Sequence, residues 1–265
     1  MCRTRGMSEG LSFLPGAYLS SDQNFRVSEL RVPIDDYYSY KDQVLTFTRC
    51  GASEFAKKIA RDFNPIHDPE ARRFCVPGDL LFAVVLDLHK ASSRMEFAFQ
   101  NMVDDQTALS LQSGDSLVSL TDNQGKIFLQ VNVCGEKLQS EAGNRALIDA
   151  YVKFSGTTFP FLLVDLMRRH KVMINPQRPL VLYKSMLLEL NDLECDSFEL
   201  SFTESSLTAE GKKAEVAFYF NIMNGDRVVG SGRKNMLLGG LREYQQSAID
   251  GLVTEYNGIK ASYVS

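Results

Sequence analysis

Asp62, Asn64 and His67 lie close together in the segment Ala60–Glu70, ARDFNPIHDPE, with Pro65 between the carboxylate and the imidazole. An imidazole titrates near neutrality, and a carboxylate beside it completes the kind of pair that general acid–base chemistry uses. An amide such as that of Asn64 can orient either partner. Asp62 and His67 are separated by five positions and a proline, so no regular helix presents them as neighbours. They converge only where the chain turns back on itself. The same residue types also build ordinary turns, in which Asp and Asn bond to nearby backbone and Pro fixes φ. From the residues alone, two readings stand: a helix end with local hydrogen bonds, or a catalytic loop facing a cleft.

The elements on either side must position this segment. Gln43–Arg49, QVLTFTR, is rich in β-branched and aromatic residues and predicts a strand. A helix should follow, capped by Ser53 with Glu54 in its first turn, and Phe55, Ile59 and Phe63 form one apolar stripe that ends at the motif. Pro65 and Pro69 forbid a regular continuation. Downstream, Pro77–His89 is apolar on nearly every side, which predicts a helix enclosed by other structure. Alternating segments beginning at Met95, Ser116 and Lys126 predict strands, the last two joined through the turn residues TDNQGK.

A polar, glycine-containing stretch around Gly135–Arg145 then leads into a second half with the same order of elements. Phe159–His170 predicts an apolar helix with a proline in its first turn, and strands begin at Pro179, Ser197, Lys213 and Arg227. The Asn-Gly pair in Met223–Arg227 marks a tight hairpin, and a last amphipathic helix is expected over Glu243–Tyr256. The pattern predicts an α+β fold in two related halves, residues 16–140 and 141–265, each an antiparallel sheet curled around a long apolar helix. Residues 1–15 read as a poorly ordered leader.

Composition narrows the function. The chain of 265 residues carries 29 basic against 33 acidic residues, a formal charge of −4 without a long block of one sign, so nucleic-acid binding is not expected. Arg168–Lys171 reads as a helix C-terminus complementing the helix dipole, or else as a local site for an anion such as the phosphates of a carrier cofactor. His89 and His170 read as helix-terminal residues. The 5 cysteines are scattered without a CxxC pair, which argues against a disulfide framework or a zinc site and for a reducing, cytoplasmic setting. Cys75, near the motif, reads as a small buried residue. No segment has the length and apolarity of a membrane span.

The core of the motif, DFNPIH at Asp62–His67, resembles the Asp-x-Asn-Pro-hydrophobic-His signature of the MaoC-like, (R)-specific enoyl-CoA hydratases. Likewise PGDLLFAVVL, Pro77–Leu86, looks like the central helix of their hotdog fold. The resemblance covers the element order of about residues 40–135, and the second half resembles a hotdog in outline, which together imply a double hotdog. It implies that Asp62 and His67 hold and activate a water that adds to a trans-2-enoyl thioester of coenzyme A or acyl carrier protein, or dehydrates the (R)-3-hydroxyacyl thioester. Asn64 would then fix the loop, and the Gly78 backbone N–H would receive the thioester carbonyl. No metal or other cofactor is implied. A non-catalytic acyl-thioester binding or regulatory protein and, behind it, a thioesterase are the alternatives on the same fold. An internal pseudo-dimer of this kind is compatible with a monomer or a homodimer.

Overall fold

The computed structural model describes residues 34–264, so the expected leader at 1–15 lies outside the described residues. Strands β1 (Ser39–Lys41) and β2 (Val44–Thr46) form a hairpin whose turn residues Asp42 and Gln43 both have positive φ, as a tight two-residue turn demands. Helix α1 (Arg49–Glu54) follows and runs on into a π-helical turn, Phe55–Ile59. Its cap is Thr48, whose side chain accepts from the Gly51 N–H, and not Ser53, which is buried inside the helix. The strand ends three residues earlier than its β-branched composition predicted, and Thr48 is the first hydroxyl with extended backbone after it.

Helix α2 (Gly78–His89) is the expected apolar helix, with every residue from Asp79 to Leu86 buried. After it come β3 (Ser92–Phe99), β4 (Leu109–Ser113), β5 (Leu117–Thr121) and β6 (Ile127–Lys137). The β5–β6 connection is closed by Asp122, whose side chain accepts from the N–H groups of Gln124 and Lys126.

The polar stretch between the halves is not a connector. Glu141–Ser155 forms a second long helix, α3, opened by Ser140, which accepts from the Gly143 N–H at 3.1 Å. Its glycine obscured the helical signal but is required, since a Cβ on Gly143 would sit 2.1 Å from the Cys195 carbonyl oxygen. The core face is Leu147, Ile148, Tyr151, Val152 and Phe154, all buried, with Tyr151 against Phe82 of α2 at a ring separation of 4.3 Å. Buried Asn144 completes the contact: its amide donates to the Leu86 carbonyl at 2.8 Å and accepts from the Ala91 N–H at 2.9 Å, closing the end of α2.

The helix expected over Phe159–His170 is shorter. Phe159 has extended backbone, as the residue before a proline prefers, within the irregular turn Thr158–Leu162, and the helix proper, α4, spans Leu163–Arg169. The remaining elements are β7 (Val172–Met173), β8 (Leu180–Leu190), β9 (Glu199–Glu210), β10 (Lys213–Asn224), β11 (Arg227–Gly239), β12 (Arg242–Glu243) and α5 (Gln246–Val264). The expected Asn-Gly turn joins β10 to β11, with Gly225 at positive φ. Among the described residues no single helix is long and apolar enough to cross a membrane.

Ten strands form one antiparallel sheet in the order β1-β2-β4-β5-β6-β3-β8-β11-β10-β9, and β7 pairs with β12 apart from it. The strands β1–β6 and β8–β11 join into one sheet where β3 pairs with β8. There the pairs Met95–Leu188 and Phe97–Met186 are buried on one face, and Arg94 forms an ion pair with Glu189 on the other. One apolar core surrounds α2 and α3; another gathers α4 with Leu207, Val216, Phe218 and Leu238.

The Asn144→Leu substitution removes one donor and one acceptor from a fully buried junction; it leaves the Ala91 N–H without a partner and the Leu86 carbonyl with only the Lys90 N–H. It should lower unfolding stability by about 2 kcal/mol or more, seen as a lower urea midpoint with an unchanged denaturant slope.

Candidate active site

The motif loop begins where the helical chain reverses. Arg61 adopts a positive φ of 55°, and Asp62 still donates its N–H to the Ala56 carbonyl at 2.8 Å, so the carboxylate emerges directly beyond the last turn. Asp62 Oδ1 accepts from the Asn64 N–H at 2.9 Å, and Asn64 Oδ1 accepts from the Ile66 N–H at 3.2 Å, capping a short 3-10 turn, Pro65–His67. These are the local hydrogen bonds expected of a helix end built from these residue types. They also aim both side chains inward.

Two cations hold the loop in place. Lys57, with only 1% of its side chain exposed, pairs with Asp68 at 2.7 Å and reaches the Asn64 carbonyl at 3.4 Å. Arg49 donates to the carbonyls of Pro69 and Ala71 at 2.9 and 3.1 Å and pairs with Asp105 at 2.9 Å. Tyr256 of α5 donates to the Arg61 carbonyl at 3.0 Å.

His67 is buried, and its Nδ1 lies 2.7 Å from the Cys75 carbonyl oxygen. A carbonyl only accepts, so Nδ1 carries the proton and Nε2 is left to face Asp62 Oδ2 at 3.5 Å. Burial pushes the Asp62 carboxyl up, but an imidazolium at His67, donating from Nε2 and bringing its charge, the Asn64 N–H and the charge of Lys234 outweigh it and hold the group at about 2. The carboxylate is therefore ionised at neutral pH. With a neutral imidazole the pair presents two acceptors to whatever lies between them, and a water satisfies both by donating one O–H to each.

Asp62, Asn64, His67 and Gly78 all line one cavity of about 250 Å³. Its apolar walls include Phe99, Phe159, Leu163, Val181 and Met236, drawn from β3, the turn before α4, α4, β8 and β11. Gly78 opens α2, where the first N–H groups lack intrahelical acceptors and the helix dipole favours negative charge. A Cβ at Gly78 would lie 2.6 Å from the Tyr183 ring, so glycine is what lets the helix end approach it. Cys75 also lines the cavity, but burial pushes its thiol up to about 12 and its Sγ bonds to the Val76 carbonyl at 3.3 Å, which leaves it inert as a nucleophile.

A second polar cluster lines the same cavity. Asp79, next to Gly78, accepts from Ser155 Oγ at 2.5 Å; Lys234 donates to that same Oγ at 2.5 Å and lies 3.7 Å from Asp79 Oδ1. The Lys234 ammonium stands 4.5 Å from the Tyr183 ring centroid, and Tyr183 in turn is hydrogen-bonded to Tyr151. Sequence reasoning missed Lys57, Ser155, Tyr183 and Lys234. For Lys234 a signal existed, since it shares the inward parity of β11 with Gly232, Met236 and Leu238, where a lysine has no place unless it is paired. The Arg168–Lys171 cluster lies elsewhere, with Arg168 and Arg169 both paired to Asp165 of their own helix. Among the described residues no group of three or more His, Cys, Asp or Glu is placed to hold a metal.

The protein is thus a mixed α/β molecule with a large antiparallel sheet and a mostly apolar cavity at a helix N-terminus. The chain belongs to the family described as "Protein of unknown function (DUF3581)", whose model matches residues 32–247. A comparison with curated proteins finds no match. Among solved structures, the chain is similar to a hot dog fold protein of unknown function from Alicyclobacillus acidocaldarius, at 9% identity over 77% of this chain and 97% of that one, with a TM-score of 0.44. It is also similar to a MaoC-like dehydratase, at 9% identity, 78% and 98% coverage and a TM-score of 0.37. An acyl-CoA thioesterase II, TesB2, from Mycobacterium marinum matches at 11% identity, 64% and 90% coverage and a TM-score of 0.39. These are likenesses of outline, and what the site does is argued from its own geometry.

The depressed Asp62 pKa has a sign that can be checked. A carboxyl held below its unfolded value of 3.8 contributes stability that is fully present above about pH 4 and is lost as pH falls toward 2. The stability difference between the wild type and Asp62→Asn should therefore shrink on acidification across that window, as read from urea midpoints; a difference that is flat or grows would contradict the assignment.

Proposed function

We propose that the chain is a double hotdog whose cavity hydrates a trans-2-enoyl thioester, or dehydrates the corresponding 3-hydroxyacyl thioester. The fold reading is supported by the apolar α2 against the strands β3–β6 and the smaller α4 core against β8–β11 of the same sheet. The carrying observation for the reaction is the Asp62–His67 pair, 3.5 Å apart over the cavity with the imidazole tautomer set by the Cys75 carbonyl.

In this reading the ionised Asp62 and neutral His67 Nε2 each accept one O–H of a shared water, turning its lone pairs toward C3 of the bound chain. The new C3–O bond forms as one water proton passes to the pair and the double-bond electrons shift toward the thioester. The resulting enolate oxygen is received by the N–H of Gly78 at the start of α2. C2 then takes a proton from the pair, which returns to its starting state. Asp79 would oppose the enolate charge if it stood alone. Its bond to Ser155 and its neighbour Lys234 offset that charge.

The cavity volume of about 250 Å³ falls short of the ~300 Å³ at which ligand pockets usually begin, which favours short acyl chains with the carrier left outside. Asn64 acts by holding the loop, as the cap of the 3-10 turn that presents His67.

Loss of the conjugated enoyl absorbance tests this directly. The wild type should turn over a short trans-2-enoyl-CoA faster than a long one, and Asp62→Asn and His67→Gln should each lose about 10²-fold or more at a temperature where both still give the folded far-UV signal. Tight binding of acyl-CoA without any turnover would replace the enzyme reading with that of an acyl-thioester binding protein.

A further inference from the structure

The reaction proposed above uses Asp62, His67 and Gly78 but leaves the Asp79–Ser155–Lys234 cluster with only a charge-balancing part. That is little reward for burying two ions. Asp79, Ser155, Thr158 and Lys234 are each more than nine-tenths buried, and all four line the cavity. Burying a lysine and an aspartate is costly unless their hydrogen-bonding capacity is filled. Here it is filled only in part. Asp79 Oδ2 is taken by Ser155, but Asp79 Oδ1 has no hydrogen-bond partner among the described residues, its distance of 3.7 Å from Lys234 being too long. Thr158 Oγ1 is likewise without a partner among the described residues. Lys234 Nζ donates to Ser155 Oγ and carries two further N–H donors.

What this cluster still lacks defines what fits it. It offers an ammonium that must donate, a carboxylate oxygen that must accept and a hydroxyl that can do either. An alkyl chain would leave all three unpaired; a carboxylate or phosphate would face Asp79, and an amine would face Lys234. A ketone could accept from Lys234 but has no proton for Asp79. A neutral hydroxyl does both, accepting from Lys234 and donating to Asp79 Oδ1, and Thr158 lines the same cavity three residues after Ser155. We propose that Lys234, Asp79 and Thr158 form a second polar pole of the cavity, which recognises a hydroxyl group on the acyl chain of the ligand, distinct from any hydroxyl made at Asp62 and His67. The nature of the chain rests on the acyl-thioester reading; the preference for a hydroxyl comes from the pole itself.

Lys234 belongs to β11 and Asp79 to α2, so the pole also ties the first turn of that helix to the sheet strand β11. A site built to bond a hydroxyl discriminates strongly against the analogue that lacks it, because its own buried groups are then left unpaired.

The test is calorimetric titration of the full chain with hexanoyl-CoA and with its monohydroxylated derivatives, the hydroxyl placed at each carbon from the fourth to the last. These chains are saturated, so binding is read apart from hydration. One positional isomer should bind about tenfold or more tightly than hexanoyl-CoA. Thr158→Val should reduce that advantage, and the double variant Asp79→Leu with Lys234→Met, which removes both buried charges together, should bring the favoured isomer down to the affinity of hexanoyl-CoA measured on the same variant. The wild-type ranking decides the matter even if a variant does not fold. If hexanoyl-CoA binds and no isomer exceeds it, the pole proposal fails and the acyl-thioester reading survives. If no member of the series binds, both fall.

Discussion

A carbonyl oxygen cannot donate, and the organisation of the site depends on that fact at one contact. The Cys75 carbonyl, 2.7 Å from His67 Nδ1, holds the ring proton on the far side of the imidazole and leaves Nε2 facing Asp62. Without it the ring could present an N–H to the carboxylate in its neutral form, and the pair would satisfy itself. With it, a neutral His67 and an ionised Asp62 form two acceptors in search of a shared donor. The segment Ile66–Cys75 is tied back by the Cys75 N–H to the Ile66 carbonyl at 3.0 Å, and by Arg49 and Lys57 at the loop between. The loop is thus built to aim one carbonyl.

Buried lysines recur as the means of assembly. Lys57 is enclosed beneath the motif loop and Lys234 across the cavity from it, each paired with a carboxylate and each close to an aromatic ring. Such pairs are weak evidence for stability, since an apolar replacement of equal volume often serves as well. Their value here is geometric. Lys57 reaches the backbone carbonyl of Asn64 and thereby the turn that carries His67, while Lys234 balances Asp79 beside the amide of Gly78 and is felt at Asp62.

Much of the site was legible in the chain. DFNPIH shows a carboxylate, an amide, a proline and an imidazole at a spacing no helix can use, and Pro77–His89 shows an all-round apolar helix directly after it. The alternation that yields β5, β6, β8, β10 and β11 was equally plain. Helix α3 was hidden because its glycine and its asparagine, ordinary signs of a loop, serve close packing on the Cys195 backbone and a side-chain bridge to α2. Phe159–His170 reads as one helix only if the extended preference of the residue before Pro160 is overlooked. The partners of Asp79 could not be read at all, because Ser155 and Lys234 stand 76 and 155 positions along the chain and meet it only through tertiary packing.

The central claim is that Asp62 and His67 deliver a water oxygen to carbon three of an enoyl thioester. Incubation of the wild type with a short trans-2-enoyl-CoA in heavy-oxygen water, followed by mass spectrometry of the thioester products, tests it most directly. The account predicts intact 3-hydroxyacyl-CoA carrying the heavy oxygen on its acyl part, and its absence when Asp62 is replaced by Asn. Release of free coenzyme A with the label in the carboxylic acid would show thioester hydrolysis instead, and would contradict it.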